Sequence, residues 1–426
     1  MNIYICSIIL GKIINMIKND LLLNEFEELT IDYIKNANLD YRKSKGQYFT
    51  PKSIREELLR KLPLNQKKIK ILDPACGTGE FLLSASKFFN KAELYGWDID
   101  KKLIEISSKI SPKAKLELAD SLTKNVKEEF DIVIGNPPYF EFQPNEDIKN
   151  RYKEVLNGRT NIFNLFIKLG LDLVKENGYV AYVVPPSMNN GAYFNKLREY
   201  IIKHSNIESL SILKSPKLFH GAQQTVMLLV LKKTKNKHDY IFKKNGITIF
   251  TERPNHLLNA FKGKKTLKEL NYSVKTGRLV WNQNKSLLTN DPEAGTLLIW
   301  AKNITSTGLK LHLKDKLQYV KSNNHDIGPA IVVNRIVGSV GNSQLKAVLI
   351  SEGTKFIAEN HVNVIYPPDK NEQLNFILVN GKDSSISLEE ITSQLNSKEK
   401  IDILQYLTGN TQISKNELEK LFPLDM

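Results

Sequence analysis

The sequence predicts an α/β protein in which a doubly wound, mostly parallel sheet is followed by a smaller β-rich α+β domain. Short apolar runs alternate with helical patterns between residues 69 and 231, which is typical of a parallel sheet with helices on both faces. A glycine turn at 77–79 joins an early strand to a helix. After residue 231 the pattern changes to short strands, glycines and few long helices, and this change predicts the second domain.

The composition restricts the class of protein. With 426 residues, of which 41% are hydrophobic and 25% charged, the chain is long enough for two globular domains. Two cysteines, Cys6 and Cys76, are too few for a disulfide framework, so we expect a cytoplasmic protein. No run of about 18 apolar residues predicts a membrane-spanning helix. His204 and His220 have no partner at metal-ligand spacing, so no metal site is predicted.

The N-terminal residues 1–19 are predicted to be an extension outside the folded domains. Their apolar run is not preceded by a lysine or arginine and is not followed by a small-residue cleavage site, unlike a signal peptide. A polar, well-patterned segment follows Met16. We therefore expect translation to start at Met16.

The first predicted elements lead to the glycine turn. Residues 20–40 carry apolar residues at helical spacing and predict an amphipathic helix. Thr50 and the proline after it predict a helix over 51–61 with Thr50 as its N-cap. A strand over 69–72 then runs into the glycine turn, which lets a ligand approach the backbone at the start of the next helix.

Two predicted strands end at aspartates. The strand over 94–97 ends at Asp98 and the strand over 114–119 ends at Asp120, while Asp100 is placed to cap the helix between them. A carboxylate at the end of the second strand is suited to accept hydrogen bonds from both ribose hydroxyls of a nucleotide cofactor. The glycine turn lacks the third glycine of the dinucleotide fingerprint, which argues against a nicotinamide or flavin enzyme.

The strand over 131–134 ends in a stiff loop. The loop contains Asn136, Pro137, a second proline and Tyr139, and consecutive prolines exclude helix and central strand. The Asn136 amide oxygen and the Pro137 carbonyl can accept hydrogen bonds from an amine attached to an aromatic ring, and Tyr139 can stack on that ring. The loop therefore predicts positioning and electrostatic catalysis on such an amine.

The alternation continues beyond this loop. Gly178 is predicted to separate a helix from the following strand, and Phe219 lies in a predicted loop at 217–222. A polar loop is predicted over 141–158, a helix over 161–174 and a strand over 179–184. A second helix is predicted over 192–204, and two further strands over 207–213 and 225–231.

Three of these segments together resemble one protein family. Asp-Pro-Ala-Cys-Gly-Thr-Gly-Glu-Phe at 73–81 resembles motif I of S-adenosylmethionine-dependent N6-adenine methyltransferases, Asn-Pro-Pro-Tyr at 136–139 resembles their motif IV, and Gln-Tyr-Phe-Thr-Pro at 47–51 resembles their motif X. The motif order resembles the gamma class of DNA amino-methyltransferases of restriction–modification type, and the likeness covers about residues 45–380.

The resemblance implies a class I methyltransferase fold and S-adenosyl-L-methionine as the cofactor. It implies cofactor contacts from Tyr48, Thr50, Asp73, Ala75, Gly77, Phe81, Asp98, Ile99, Asp120 and Asn136. It also implies transfer of the methyl group to N6 of an adenine that has left double-stranded DNA, by direct attack and without a covalent enzyme intermediate. The catalytic residues would be Asn136, Pro137, Tyr139 and Phe219, and the two rings would stack on the flipped base.

The net charge of +15 is concentrated in one region. Residues 203–285 hold 17 lysines and arginines against four acidic residues, a net charge of +13, which predicts a surface that faces a polyanion. The region after 245 also resembles, more loosely, the target-recognition domains of DNA adenine methyltransferases. The predicted DNA-binding residues are Lys275, Arg278, Trp281, Asn282, Arg335 and Asn360.

We thus expect a catalytic domain over 20–235, a DNA target-recognition domain over 236–384 and a helical segment over 385–426 that packs on the recognition domain. Two alternatives remain open. The same loop occurs in RNA methyltransferases and in release-factor glutamine methyltransferases, and a non-catalytic DNA-specificity subunit would share the basic region. A cognate restriction endonuclease would be a separate protein, because too few residues follow 231 for a cleavage domain as well.

Overall fold

A computed structural model describes residues 24–63, 68–158, 160–213, 225–234, 239–335, 345–368, 386–407 and 413–426. Its contacts divide the chain into two compact units, Met1–Tyr240 and Ile241–Met426. The expected N-terminal extension and Phe219 lie outside the described residues.

The first unit is built on a seven-stranded sheet. Its strand order is β3-β2-β1-β4-β5-β7-β6, in which β1 to β5 run parallel and β7 is antiparallel to both β5 and β6. This arrangement confirms the predicted class I methyltransferase fold. The strands are β1 Lys70–Asp73, β2 Glu93–Asp98, β3 Lys115–Leu118, β4 Phe130–Gly135, β5 Val174–Val184, β6 Asn206–Leu213 and β7 Val226–Lys232.

Helices cover both faces of this sheet because its central strands are buried on both sides. They are α1 Glu28–Asn36, α2 Leu39–Ser44, α3 Lys52–Arg60, α4 Glu80–Phe88, α5 Lys101–Ile110, α6 Glu146–Tyr152, α7 Phe163–Leu173 and α8 Asn195–His204. Side chains of α3 and α4 pack with Ala181 and Val183 of β5. Helix α7 packs on the opposite face, where Gly170 lies so close to Val180 and Tyr182 that a Cβ atom would stand 3.0 Å from each.

The structure changes three local predictions. The single helix expected over 20–40 is two helices, α1 and α2, because the Asn38 side chain caps α2 by accepting hydrogen bonds from the N–H groups of Asp40 and Tyr41. The loop expected at 141–158 contains helix α6. Strand β5 runs through Gly178, whose missing Cβ would lie 2.9 Å from the Asp131 carbonyl oxygen.

The prediction that Thr50 caps helix α3 is wrong. The helix begins at Lys52, with Pro51 in the N-cap position and without a capping side chain there. Glu25, distant in sequence, supplies the cap instead: its carboxylate accepts a hydrogen bond from the Ser53 N–H at 2.6 Å. The Thr50 hydroxyl is buried and has no hydrogen-bond partner among the described residues.

The second unit is β-rich, as predicted. Its strands are β8 Ile241–Lys244, β9 Ile247–Phe250, β10 Ser273–Thr276, β11 Leu288–Thr289, β12 Thr296–Ile299, β13 Ile304–Thr305, β14 Gly308–Leu309, β15 Tyr319–Val320, β16 Asp326–Ile327, β17 Ala330–Asn334, β18 Ala347–Ile350, β19 Lys355–Ala358 and β20 Val362–Tyr366. Strands β10-β20-β17-β18 form an antiparallel sheet, and β11-β15-β12-β19-β16 form a second, mixed sheet.

In the described part of the second unit the α-helices are α9 Pro254–Ala260, α10 Leu388–Leu395, α11 Lys398–Leu407 and α12 Lys415–Leu421. Side chains from the last three helices, such as Ile391 and Leu418, share one apolar core with Val274 and Ile331 of the antiparallel sheet. The C-terminal segment therefore packs within this unit. Within the described ranges, no helix combines the length and apolar character needed to cross a membrane.

Candidate active site

A cavity of about 480 Å³ opens in the first unit, where strands β1, β2 and β4 end. The chain order of the sheet reverses between β1 and β4, and ligands of open α/β sheets bind at this kind of switch point. All ten predicted cofactor contacts line the cavity: Tyr48, Thr50, Asp73, Ala75, Gly77, Phe81, Asp98, Ile99, Asp120 and Asn136. Ile99 is 71% exposed, an unusual exposure for a large apolar side chain.

The glycine turn forms one wall of the cavity. Gly77 and Gly79 have φ angles of +55° and +86°, a backbone region that favours glycine. A Cβ atom on Gly79 would come within 2.4 Å of the Ser107 hydroxyl oxygen, whereas a Cβ atom on Gly77 would meet only open space. Gly79 is therefore needed for packing, and Gly77 leaves room for a ligand against the backbone.

Buried Asp73 and half-buried Asp98 are held by backbone N–H groups. Asp98 accepts hydrogen bonds from Gly77 N at 2.8 Å and from Asp100 N at 2.9 Å, and burial raises its pKa. Asp73 accepts one hydrogen bond from Ala75 N at 3.0 Å. Burial, with a smaller contribution from the Asp98 charge, raises the pKa of Asp73 to about 8. Both carboxylates retain free lone pairs at the cavity.

Asp120 and Asp100 sit at helix starts. The Asp100 side chain accepts a hydrogen bond from Lys102 N and caps α5, as predicted. Asp120 accepts a hydrogen bond from Leu122 N at 3.0 Å, which caps a short 3₁₀ turn. The second Asp120 oxygen remains available at the cavity wall.

Asn136 is oriented by two neighbours. Its Nδ2 donates to the Tyr48 carbonyl oxygen at 2.9 Å, and the Tyr139 hydroxyl donates to its Oδ1. The same hydroxyl also donates to the Val183 carbonyl oxygen at 2.5 Å, so the two acceptors share its single proton. Burial raises the pKa of Tyr139 well above its ordinary value, so the phenol stays protonated and acts as a donor.

The predicted catalytic residues are not all at the cavity surface. Among the described residues, Asn136 lines the cavity, whereas Pro137 is buried and Tyr139 lies behind Asn136. The Tyr139 ring is nearly parallel to that of Tyr48, at 6.4 Å, and meets Phe163 edge-on at 6.1 Å. The Tyr139 ring thus contacts two other aromatic rings, and its stacking on a base stays a prediction.

The cavity wall also contains apolar residues that were not predicted, among them Phe140, Phe142, Ile162 and Phe166. The two phenylalanines that follow Tyr139 alternate with a glutamate, and the other two residues lie on the apolar pattern around α7. These patterns indicate burial but do not indicate which buried side chains border a ligand.

The predicted DNA-binding residues of the second unit are separated into small groups. Arg278 pairs with Asp326 at 2.9 Å and donates to the Asn324 side chain. Lys275 lies over the Tyr366 ring, and Asn282 is exposed.

Trp281 packs edge-on against Trp300, and the Lys316 ammonium lies 4.1 Å from the Trp281 ring centre. Arg335 donates a hydrogen bond to the Asn360 carbonyl oxygen at 3.0 Å. Arg278 and Asn282 are thus exposed to solvent, while Trp281 and Arg335 also serve packing within the unit.

The cavity fits S-adenosyl-L-methionine. Gly77 leaves open space, the Thr50 hydroxyl is a buried polar atom without a described partner, and Asp98 has free lone pairs for ribose hydroxyls. The apolar wall that contains Phe166 suits a flat base. Across the described ranges, no group of three or more His, Cys, Asp or Glu side chains is arranged to hold a metal ion.

Comparison with known proteins identifies relatives of the chain. The family model for N-6 DNA methylases matches residues 18–286, which confirms the predicted cofactor. The type II methyltransferase M.CvrRI of Paramecium bursaria Chlorella virus XZ-6E is 28% identical over 81% of this chain and 89% of its own length. The modification methylase CviBIII of Paramecium bursaria Chlorella virus NC1A is 25% identical over 86% of this chain and 98% of its own.

Solved structures also match the chain. A putative class I S-adenosylmethionine-dependent methyltransferase from Listeria monocytogenes is 28% identical, with a TM-score of 0.40 over 45% of this chain and 62% of that chain. The type IIG restriction endonuclease BpuSI is 12% identical, with a TM-score of 0.43 over 93% of this chain and 60% of that chain.

Proposed function

The chain belongs to the N-6 DNA methylase family, and from that premise we propose that it methylates N6 of an adenine flipped out of double-stranded DNA at a specific site. We assign it to the gamma class and propose that it is the modification enzyme of a restriction–modification system. The endonuclease of that system would be a separate protein. The relatives named as type II methyltransferases support this role.

The observation that carries the proposal is the position of Asn136. Its amide lies at the end of β4 and lines the same cavity as Asp73 and Asp98. An acceptor at this point is within reach of an amine that enters the cavity beside the cofactor. The hydrogen bond from its Nδ2 to the Tyr48 carbonyl directs Oδ1 away from Tyr48 and fixes the acceptor.

Each residue of the site has a distinct task in the proposed reaction. Bound S-adenosyl-L-methionine supplies a methyl group on a positively charged sulfur. Asn136 and Pro137 accept hydrogen bonds from the adenine amine and orient its lone pair, which is catalysis by positioning and electrostatics. Asp98 would accept hydrogen bonds from the ribose hydroxyls of the cofactor, and Asp120 would accept one from its adenine amine. Tyr139 and Phe219 stack on the flipped base.

The proposed DNA contacts lie in the second unit. Lys275, Arg278, Trp281, Asn282, Arg335 and Asn360 are assigned to DNA contact because amide and cationic side chains suit phosphate contacts and base-edge recognition. Lys275, Arg278 and Asn282 are the exposed residues among them.

Single-molecule sequencing of DNA from cells that express the protein tests the proposal. We expect N6-methyladenine at one recurring sequence. Asn136→Ala should abolish the modification because the acceptor for the substrate amine is removed, while cofactor and DNA binding stay largely intact. Asn150→Ala, an equal truncation on the exposed side of α6, should retain it. Full modification with Asn136→Ala, or none with the unaltered protein, would refute the proposal; methylated RNA or protein would then identify the substrate.

A further inference from the structure

Arg55 of α3 and Glu80 of α4 form a buried ion pair. The Arg55 Nη2 lies 2.9 Å from a Glu80 carboxylate oxygen, and their side chains are 2% and 7% exposed. Both residues border the cavity. Because desolvation offsets much of the Coulomb attraction, a buried ion pair is weak evidence for a role in stability. The other hydrogen bonds of the two side chains indicate a different role.

The Arg55 guanidinium connects two walls of the cavity. Its Nη1 donates to the Thr50 carbonyl oxygen at 2.5 Å and its Nε donates to the Ser84 hydroxyl at 3.0 Å. Thr50 belongs to the segment before α3, whereas Ser84 and Glu80 belong to the helix that follows the glycine turn. The planar guanidinium holds these groups in one fixed arrangement.

Glu80 extends the connection to a third segment. Its second oxygen accepts a hydrogen bond from Glu27 N, directly before α1, at 2.8 Å. A parallel link joins Thr30 of α1 to Thr78 of the glycine turn through their hydroxyls at 2.9 Å. The start of α1 is thus attached to α4 at one point and to the glycine turn at the other.

We infer that Arg55 and Glu80 are positioning residues for the cofactor, which set the spacing between the Thr50 wall and the glycine-turn wall. They act through Thr50 and Gly77 and need no direct contact with the ligand. The buried Thr50 hydroxyl has no hydrogen-bond partner within the described ranges and borders the cavity, so a shift of the Thr50 backbone moves that hydroxyl. The inference concerns binding of the cofactor and does not depend on the proposed DNA substrate.

Four variants of the full chain test this role: Arg55→Lys, Glu80→Gln, the double variant Arg55→Met with Glu80→Leu, and the control Arg60→Lys. Arg60 pairs with Glu56 at 3.1 Å on the exposed side of the same helix. For each variant, circular dichroism gives the melting temperature without ligand, and calorimetry gives the dissociation constant for S-adenosyl-L-methionine without DNA.

We expect the Arg55→Lys and Glu80→Gln variants to bind the cofactor about tenfold more weakly, equal to about 1.4 kcal/mol, at temperatures at which they are folded. The double variant should regain the melting temperature, because an apolar pair can replace a buried ion pair, yet keep the weak binding. Arg60→Lys should bind normally. Recovery of both properties in the double variant, its failure to fold, or normal binding by Arg55→Lys would overturn the inference. Because no DNA is present in these measurements, their results do not depend on whether DNA is the substrate.

Discussion

At the scale of single residues, the contact between Tyr139 and Asn136 organises the proposed reaction site. The Tyr139 hydroxyl donates to Asn136 Oδ1, the atom that would accept the substrate amine. A carbonyl oxygen has two lone pairs and can accept both hydrogen bonds. Tyr139 thus has two proposed tasks, which are to stack on the base and to orient the amide.

Tyr139→Phe separates these tasks. The ring remains and one hydrogen bond is lost, worth about 1 kcal/mol. We expect single-turnover methyl transfer to slow by about two- to tenfold with unchanged affinity for the cofactor. Tyr182→Phe is the matched control, because the Tyr182 hydroxyl is buried without a hydrogen-bond partner in the described part of the chain. An unchanged rate for Tyr139→Phe would mean that the hydroxyl does not orient Asn136.

The pKa of Asp73 gives a second prediction at this scale. Burial raises it to about 8, whereas an unfolded aspartate titrates near 3.9. Between these values the folded state binds one proton more than the unfolded state, so this carboxyl group lowers stability as pH rises from about 4 to about 8.

Asp73→Asn should remove this pH dependence. Hydrogen exchange of peptides from β1 and β4, corrected for intrinsic rates, measures local stability within the first unit. The variant's stability relative to the unaltered protein should increase between pH 5 and pH 8, by at most about 1.4 kcal/mol per pH unit. Parallel stability profiles would show that Asp73 titrates normally.

At the scale of elements, local chemistry made much of the first unit predictable. Glycines at 77 and 79 favour a turn that few other residues adopt, and carboxylates follow the ends of β2 and β3. Because parallel strands end at the same edge of a sheet, the predicted residues at the ends of β1, β2 and β4 line one cavity. The other cofactor positions, such as Tyr48 and Thr50, were implied by the family resemblance and line the same cavity. The turn and the strand ends are properties of short segments.

One error and one missed pair arose where distant segments supply the decisive contact. Thr50 and Pro51 form a typical helix start, but the cap of α3 comes from Glu25. The Arg55–Glu80 pair joins positions 25 residues apart, and each residue alone resembles an ordinary charged residue on a helix. The contacts of Tyr139 with Tyr48 and Phe163 likewise depend on tertiary packing. Segment patterns do not contain such contacts.

At the scale of the whole molecule, cofactor chemistry and the proposed DNA recognition belong to different compact units. The cavity is formed entirely by residues of the first unit. The predicted DNA-binding residues all belong to the second unit. Changes at these residues should therefore affect DNA binding and leave cofactor binding intact.

Arg278 tests this separation because its charge is already paired with Asp326. If Arg278 contacts a phosphate, Arg278→Gln should weaken binding to a mixed-sequence duplex and reduce the slope of log affinity against log salt by about 0.9. Asp326→Asn should strengthen binding, since it removes the competing anion. Lys398→Gln makes the same charge change on exposed α11 and should do neither. Fluorescence anisotropy measures DNA affinity and calorimetry measures cofactor affinity. Weaker cofactor binding by Arg278→Gln would contradict the assignment of Arg278 to DNA contact. Equal salt slopes for Arg278→Gln and Lys398→Gln would contradict it as well.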